Sequence, residues 1–195
     1  MKNWTTTHYK PHARRETIID VYRSRFNIHK IPNGKQYWSL CSDCTNDGEP
    51  HKDTEIGQMI HHDIISEQDF VGVDIDSNTI SRNTIAYPHA TWICNDFFAA
   101  MCEVDTFEPA IVNFDTISTP KYAIPVLGDI INIVPPNTMI VCNMILKCRN
   151  QIILPISEIS QQIQIHLSGV DVDFHPDIMT YLNGTTEMAT IVCYT

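Results

Sequence analysis

Two short apolar runs in this chain end in side chains that could bind a polar ligand. Asp74 and Asp76 close the run that begins at Phe70, and Asn95 and Asp96 close the next one. Such runs are typical of buried parallel strands in an open α/β sheet, which binds ligands at the carboxyl ends of its strands. A carboxylate at that edge can accept hydrogen bonds from both hydroxyls of a ribose. The pattern therefore predicts a nucleoside site.

The elements that would position these side chains alternate between strand and helix patterns. The sequence predicts strands at 36–41, 70–75, 91–94, 109–115 and 138–146. It predicts helices at 13–26, 54–65 (capped by Asp53 or Thr54), 77–87 (capped by Ser77), 96–101 and 120–133, and a last helix from Ile152 or Ser157 to Leu167. The polar stretch 42–52 is predicted to be a loop. Two β-rich runs, 177–182 and 187–194, flank Asn183-Gly184 and predict a hairpin. This order predicts an α/β fold with a doubly wound, mostly parallel seven-stranded sheet, helices on both faces and an antiparallel C-terminal hairpin.

The terminal hairpin distinguishes two kinds of nucleotide-binding sheet. A nicotinamide dehydrogenase domain normally ends with another parallel strand, whereas a class I S-adenosylmethionine-dependent methyltransferase inserts an antiparallel seventh strand. From about Tyr37 to Thr195 the chain resembles the methyltransferase superfamily. The resemblance rests on the order of elements, the motif Gly72-Val-Asp-Ile-Asp76, the pair Asn95-Asp96 and the hairpin. It implies S-adenosylmethionine as the cofactor.

The resemblance also implies roles for the polar residues at the strand ends. In that superfamily the second-strand acid holds the cofactor ribose, which implies Asp74, with Asp76 as a second candidate. The alternative for Asp74 is a helix-capping or loop carboxylate. The third-strand residues usually lie beside the adenine, which implies Asn95 and Asp96. Asp96 could equally cap the short helix that follows it.

The first loop departs from the superfamily pattern. It is normally a glycine-rich turn, so that the backbone can approach the methionine part of the cofactor. Here the sequence runs Cys41-Ser-Asp-Cys-Thr-Asn-Asp-Gly-Glu-Pro50, with a single glycine. We expect Ser42 and Asp43 to bind the cofactor in its place. The alternative is that the cofactor site is lost.

The end of the fourth strand supplies the candidate catalytic residues Asn113 and Asp115. Superfamily members that methylate amino groups in nucleic acid carry an Asn/Asp-Pro-Pro-aromatic motif here, whose oxygen atoms accept from the target amino group. This chain reads Asn113-Phe-Asp-Thr116, which keeps acceptor groups but lacks both prolines and the aromatic residue. Asp115 is therefore predicted to be a general base or substrate anchor, or simply to finish a strand.

Charge is distributed unevenly along the chain. The net charge is −10, yet residues 1–35 carry about +6, which leaves about −16 on the rest. A basic arm on an acidic body can steer a polyanion to one edge of a protein. We therefore expect a basic, helical extension at 1–35, a methyltransferase-like domain at 36–195 and nucleic acid as the leading partner. The alternative is a solvated helix packed on the acidic body.

Composition and cysteine usage favour a reduced, cytoplasmic protein. No apolar run is long enough to span a bilayer, and the N-terminus lacks the apolar core of a secretory signal. Seven cysteines is an odd number, and Cys94, Cys142 and Cys193 lie in apolar strand-like runs, where buried thiols are ordinary. The sequence also allows homo- or hetero-oligomers through the apolar terminal strand.

Three other interpretations remain open at this stage. A methyltransferase-like fold without activity would serve as a binding or scaffold subunit, which the missing glycine loop favours. A nucleotide-binding oxidoreductase is disfavoured by the hairpin and by the absent dinucleotide fingerprint. A zinc site could draw its four ligands from Cys41, Cys44, His51, His61 and His62, but the histidine spacing fits no standard finger, so no metal site is predicted.

Overall fold

The computed structural model describes residues 18–24, 27–41, 43–46, 48–148, 151–152, 155–166, 177–183 and 186–195. It has the predicted α/β fold, with a mostly parallel sheet and an antiparallel C-terminal pair. The chain divides into two compact units, Met1–Ala110 and Ile111–Thr195. Among the described residues, no helix is long and apolar enough to cross a membrane.

Three parallel strands form the sheet of the first unit. The strands of this unit are β1 (Gln36–Leu40), β2 (Thr45–Asn46), β3 (Glu49–Pro50), β4 (Phe70–Asp74) and β5 (Thr91–Cys94). Its helices are α1 (18–24), α2 (Glu55–His61), α3 (Ser77–Ala86) and α4 (Phe97–Glu103), with a 3₁₀ turn at Glu67–Asp69. β4 lies between β1 and β5, parallel to both, so the three carboxyl ends share one edge. β2 and β3 form a separate antiparallel ribbon.

Helix α2 ends at His61, four residues before the predicted end. Asp63 adopts a left-handed φ of 55°, and its N–H donates to the Ile60 carbonyl at 3.0 Å. The N–H of Ile64 donates to the Met59 carbonyl at 2.9 Å, which completes a Schellman motif. Met59 and Ile64, the two positions whose apolar contact is typical of this motif, are both fully buried. The apolar periodicity continued past the stop, and the prediction of a longer helix was wrong.

The predicted loop at 42–52 contains the β2–β3 ribbon. Gly48 has a φ of +86°, a conformation that L side chains rarely adopt, and this allows the tight turn between the two strands. The helix predicted at 13–26 is described only over 18–24, where Ile18, Ile19 and Tyr22 are buried. Its remaining residues lie outside the described ranges.

The second unit contains the C-terminal strands and two helices. These are β6 (Pro109–Ser118, whose first two residues belong to the first unit), α5 (Pro120–Ile133), β7 (Met139–Cys148), β8 (Gln151–Ile152), α6 (Ile156–His166), β9 (Asp177–Asn183) and β10 (Thr186–Tyr194). β6 is parallel to β7, and β10 lies antiparallel between β7 and β9. The predicted hairpin is therefore confirmed. The short β8 pairs with β7, and within the described ranges the strands of this sheet number eight, one more than predicted.

Burial agrees with the cysteine predictions at two of three positions. Cys142 and Cys193 are fully buried in β7 and β10, as expected for thiols in apolar strands. Cys94 is exposed, and the prediction that it is buried was wrong. In the described part of the first unit, β5 pairs with β4 alone, so its last residue lies at the margin of that sheet.

Candidate functional site

The polar residues that follow β4 and β5 meet at one edge of the first unit. The parallel register places Asp74 opposite Cys94, the last residue of β5. The Asn95 N–H continues the ladder and donates to the Asp74 carbonyl at 3.2 Å. The two strand ends are thus fixed to each other by backbone hydrogen bonds. The structure brings together the residues that the sequence assigned to ribose and adenine.

Asp74 is half-buried at this edge, so its carboxylate is partly desolvated. Its Oδ1 accepts from the Asp76 N–H at 2.8 Å. Burial raises the pKa of Asp74, and the neighbouring Asp76 charge adds to this, against the lowering effect of backbone hydrogen bonds. A ligand that donates hydrogen bonds would relieve the desolvation of the charged carboxylate. A ribose diol is such a donor.

Asp76 and Asp96 are committed to the helices that follow them. Asp76 caps α3, because it accepts from the Asn78 N–H and the Thr79 hydroxyl, both at 3.0 Å, and these bonds lower its pKa. Ser77, the predicted cap, is instead the first helical residue. Asp96 caps α4 by accepting from the N–H groups of residues 98 and 99 at 3.0 and 3.1 Å. Capping, the stated alternative for Asp96, is therefore present, and any ligand role of these two carboxylates stays a prediction.

Asn95 has both ends of its amide occupied. Its Oδ1 accepts from the Asp96 N–H at 2.8 Å, and its Nδ2 donates to Glu103 at 2.9 Å. Glu103 is the last residue of α4, so the amide ties the strand end to the far end of that helix. The predicted contact of Asn95 with adenine would form beside these two hydrogen bonds or in place of one of them.

Ile75, between Asp74 and Asp76, was not singled out by the sequence analysis. Its side chain is 77% exposed, although strand β4 before it is almost entirely buried. It therefore presents an apolar surface beside the Asp74 carboxylate. The signal that could have identified it is an apolar residue placed after the strand ends and between two carboxylates.

The first loop is held to α3 by side-chain contacts. Asp43 accepts from the N–H and hydroxyl of Thr45 at 3.0 and 2.7 Å, and from the Arg82 guanidinium at 2.7 Å. Burial alone would raise the pKa of Asp43, but these hydrogen bonds and the Arg82 charge lower it below its ordinary value. The Cys44 N–H donates to the buried Asn83 Oδ1 at 2.8 Å. Both carboxylate oxygens of Asp43 thus have a structural role, and Ser42 lies outside the described residues.

Gly72 provides no open cradle for a cofactor. A Cβ built on Gly72 would lie 2.2 Å from the Trp92 ring and 2.8 Å from the Cys41 sulfur. The space next to this glycine is therefore already filled by protein atoms. Burial raises the pKa of Cys41, and the adjacent Cys44 adds to the effect, which disfavours a thiolate. Within the described ranges, no group of three or more His, Cys, Asp or Glu side chains is arranged to hold a metal.

The candidate catalytic residues lie in the second unit. Asn113 is fully buried in β6, whereas Asp115 is half-buried. Asp115 Oδ1 accepts from Asn143 Nδ2 at 3.1 Å, and Asn143 Oδ1 accepts from the Thr190 hydroxyl at 2.5 Å. Sequence reasoning missed Asn143 and Thr190, although each is a single polar residue within a strongly apolar run.

Comparisons with known proteins find similarity at the level of structure. No protein-family model matches the sequence, and no curated protein matches it significantly. The plantazolicin methyltransferase BamL, solved with S-adenosylhomocysteine, aligns with a TM-score of 0.60 at 12% identity, over 97% of this chain and 86% of that one. Trm5b from Pyrococcus abyssi aligns with a TM-score of 0.56 at 10% identity, over 93% of this chain and 48% of that one. Precorrin-6y C5,15-methyltransferase from Geobacter metallireducens aligns with a TM-score of 0.55 at 8% identity, over 98% of this chain and 92% of that one.

The chain has the class I methyltransferase fold. The resemblance inferred from the strand-end motifs and the hairpin is therefore confirmed at the level of fold. The chain spans about half the length of Trm5b. Two of these proteins are named for different acceptors, plantazolicin and a precorrin. Because one fold serves many acceptors, it does not choose one for this chain.

Proposed function

We propose that this chain is an S-adenosylmethionine-dependent methyltransferase that acts on nucleic acid. The observation that carries the cofactor assignment is Asp74, a half-buried carboxylate at the end of β4 with a raised pKa. Its Oδ1 already accepts one backbone N–H, and a ribose diol would supply further donors. Hydrogen bonds to a charged acceptor are stronger than those between neutral groups. Asp74 is thus the residue we assign to the ribose.

The surroundings of Asp74 support a nucleoside in particular. The exposed Ile75 side chain offers an apolar surface on which a purine could pack without displacing a core residue. The backbone at the strand ends is fixed by the ladder from Asn95 to Asp74 and by the cap of α3. Fixed groups lose little freedom when a ligand binds, which favours affinity. The described residues therefore fit the nucleoside half of the cofactor.

When bound, the cofactor supplies an electrophilic sulfonium methyl group. The protein has to position the acceptor for in-line attack and to relieve it of a proton. Asp115 is the residue we assign to the second task, since it is an accessible carboxylate at the position of the superfamily's acceptor motif. The fully buried Asn113 is then a supporting residue rather than the primary acceptor of the proton.

The charge of the N-terminal segment supports nucleic acid as the acceptor. Three of its cations lie in described residues and contact groups of the same unit. Arg23 donates to the His62 carbonyl at 2.5 Å, Lys30 donates to the Ser66 hydroxyl at 2.8 Å, and Lys35 pairs with Glu108. The role in binding a polyanion therefore rests on the five other cations, which lie outside the described ranges: Lys2, Lys10, Arg14, Arg15 and Arg25.

A second candidate is a methyltransferase-like subunit without activity. The observation in its favour is the first loop, where both oxygens of Asp43 are occupied and the space beside Gly72 is filled. Such a protein would bind nucleic acid or a partner chain and would transfer no methyl group. Activity measurements separate it from the first candidate.

The test is methyl transfer from tritiated S-adenosylmethionine to mixed RNA and to DNA, with release of S-adenosylhomocysteine measured in parallel. We expect tritium to be incorporated by the wild type and lost in Asp115→Asn. The double variant Arg14→Glu/Arg15→Glu should raise KM for nucleic acid and leave the other kinetic parameters unchanged. Lys52→Glu, which changes an exposed cation outside the N-terminal segment, should have little effect on KM. Cofactor binding without transfer to any acceptor would favour the inactive subunit.

A further inference from the structure

A buried polar row crosses three strands of the second unit. Asp115 on β6, Asn143 on β7 and Thr190 on β10 are connected by two side-chain hydrogen bonds. The antiparallel register pairs Asn143 directly with Thr190, and both are completely buried. Their neighbours Val141 and Val192 are also completely buried and apolar. Buried polar groups are costly in such surroundings unless they are hydrogen-bonded.

The chemistry of the three side chains fixes the direction of the row. An ionised carboxylate can only accept, so Asn143 must turn its Nδ2 towards Asp115. Its Oδ1 then faces Thr190, whose hydroxyl must donate. Reversal of the amide would place its oxygen against the carboxylate and its NH₂ against the hydroxyl. The Asp115 carboxylate thus determines which way the amide of Asn143 points, and Thr190 holds that orientation by donating to Asn143 Oδ1.

The backbone at Asp115 is irregular. Phe114 pairs with Cys142 and Ser118 pairs with Met144, so four steps along β6 match two along β7. Bulges of this kind are frequent beside active sites, where they redirect a side chain. At this irregular point the hydrogen bond from Asn143 holds the Asp115 carboxylate from the neighbouring strand.

We propose that Asn143 and Thr190 are positioning residues, which orient the Asp115 carboxylate towards the methyl acceptor. This inference rests on the proposed function, because it assigns Asp115 to the acceptor. The row starts in the core at Thr190 and ends at the half-buried Asp115. The need to hold the Asp115 carboxylate in place would explain why two polar side chains, Asn143 and Thr190, lie in an otherwise apolar core.

The test compares variants that change one hydroxyl each. Thr190→Val keeps the β-branched shape and removes the donor, whereas Thr190→Ser keeps the donor. Thr138→Val is the matched control, because Thr138 is also completely buried and its hydroxyl donates to the Pro135 carbonyl at 2.7 Å, outside the row. Two readouts are used. One is the NMR signal of the Asn143 side-chain amide, and the other is methyl transfer to mixed RNA and to DNA at saturating S-adenosylmethionine.

We expect Thr190→Val to shift the Asn143 amide signal and to lower kcat by about tenfold or more, as misplacement of a reacting group does. Cofactor affinity should be unchanged. Thr190→Ser should restore the signal and most of the rate, and Thr138→Val should affect neither. An unchanged amide signal or an unchanged kcat in Thr190→Val would overturn the proposal. If the wild type binds no cofactor, the proposed function fails and the acceptor role with it. The amide signal would still report whether Thr190 orients Asn143.

Discussion

The two groups of candidate site residues satisfy their hydrogen bonds over very different distances along the chain. At the edge of the first unit, Asp74, Asp76 and Asp96 accept from N–H groups two or three residues ahead. In the second unit, Asp115 is held by Asn143, 28 positions away, and Asn143 by Thr190, 47 positions away. The first arrangement forms with its own turn, whereas the second requires the assembled sheet. The difference suggests that the two groups should respond differently to substitution.

The largest expected effect lies beneath the edge of the first unit. Gly72→Ala would place a Cβ 2.2 Å from the Trp92 ring, which also donates from its Nε1 to the Tyr87 carbonyl at 3.0 Å and contacts the Phe70 ring. We expect a loss of about 3 kcal/mol in the free energy of unfolding, near the upper end for overpacked cores. Urea denaturation measures it.

Gly128→Ala is the matched control, because Gly128 lies in α5 and a Cβ there meets nothing within 4 Å. It should be neutral or stabilise the protein by about 0.5–1 kcal/mol. Equal effects of the two glycine substitutions would show that the space around Gly72 adjusts freely, and the edge would then be less rigid than the contacts indicate.

The next effect concerns the long-range row. Asn143→Ala removes a completely buried amide, leaves a cavity and deprives the Thr190 hydroxyl and Asp115 of a partner. We expect a loss of about 2–3 kcal/mol in the free energy of unfolding, since a buried polar group without its partner costs about 1–3 kcal/mol. The same denaturation experiment measures it. If Asn143→Ala cost less free energy of unfolding than the loss of a helix N-cap, long-range and local hydrogen bonds would not differ in the way proposed.

A local cap should cost less. Asp96→Ala removes the acceptor for the first N–H groups of α4, and an N-cap is worth about 1 kcal/mol. Asp105→Ala, at an exposed position outside the helices, is the control and should have almost no effect. Thermal melting of both variants measures the difference. If Asp96→Ala also abolished cofactor binding, its carboxylate would be shown to have a ligand role besides the cap.

The smallest effect concerns the ion pair between Arg82 and Asp43, both partly exposed. Arg82→Gln should cost about 0.5 kcal/mol at pH 7, since exposed pairs contribute little. The pKa of Asp43 is lowered below its ordinary value of 3.8, so the stabilisation is complete above that pH and is lost as pH falls through the lower, folded-state pKa. The difference between wild type and variant should therefore begin to shrink below pH 3.8 and vanish well below the folded-state pKa. A difference that persists there would mean that packing of Arg82, and not its charge, is what stabilises the loop.

The same contrast explains how far the sequence could predict this molecule. Local signals gave β5 and α5 their observed bounds and predicted the terminal hairpin around Asn183. They also identified Thr54 as one of two candidate caps, and Thr54 is the cap observed. They failed at the end of α2, where the left-handed Asp63 stops the helix within an apolar pattern that continues.

Long-range features could not be predicted in this way. Asn143 and Thr190 are ordinary interruptions of apolar strands until the register of β7 and β10 is known. That register includes an irregularity between Glu187 and Met188, and a one-residue slip would turn each side chain to the other face. The contacts of Asp43 and Cys44 with α3 likewise join residues 39 positions apart. Sequence patterns thus gave the candidate carboxylates, and the structure gave the partners that hold them.

The most direct test of the account is calorimetric titration of the wild type, Asp74→Asn and Asp105→Asn with S-adenosylmethionine and S-adenosylhomocysteine. Asparagine keeps the shape of Asp74 and removes its charge, and Asp105 is an exposed carboxylate outside the helices and strands. We expect both ligands to bind the wild type and Asp105→Asn equally well. Asp74→Asn should bind at least about tenfold more weakly, a difference of about 1.4 kcal/mol. No binding to the folded wild type, or equal binding to all three proteins, would contradict the assignment of Asp74 to the cofactor ribose.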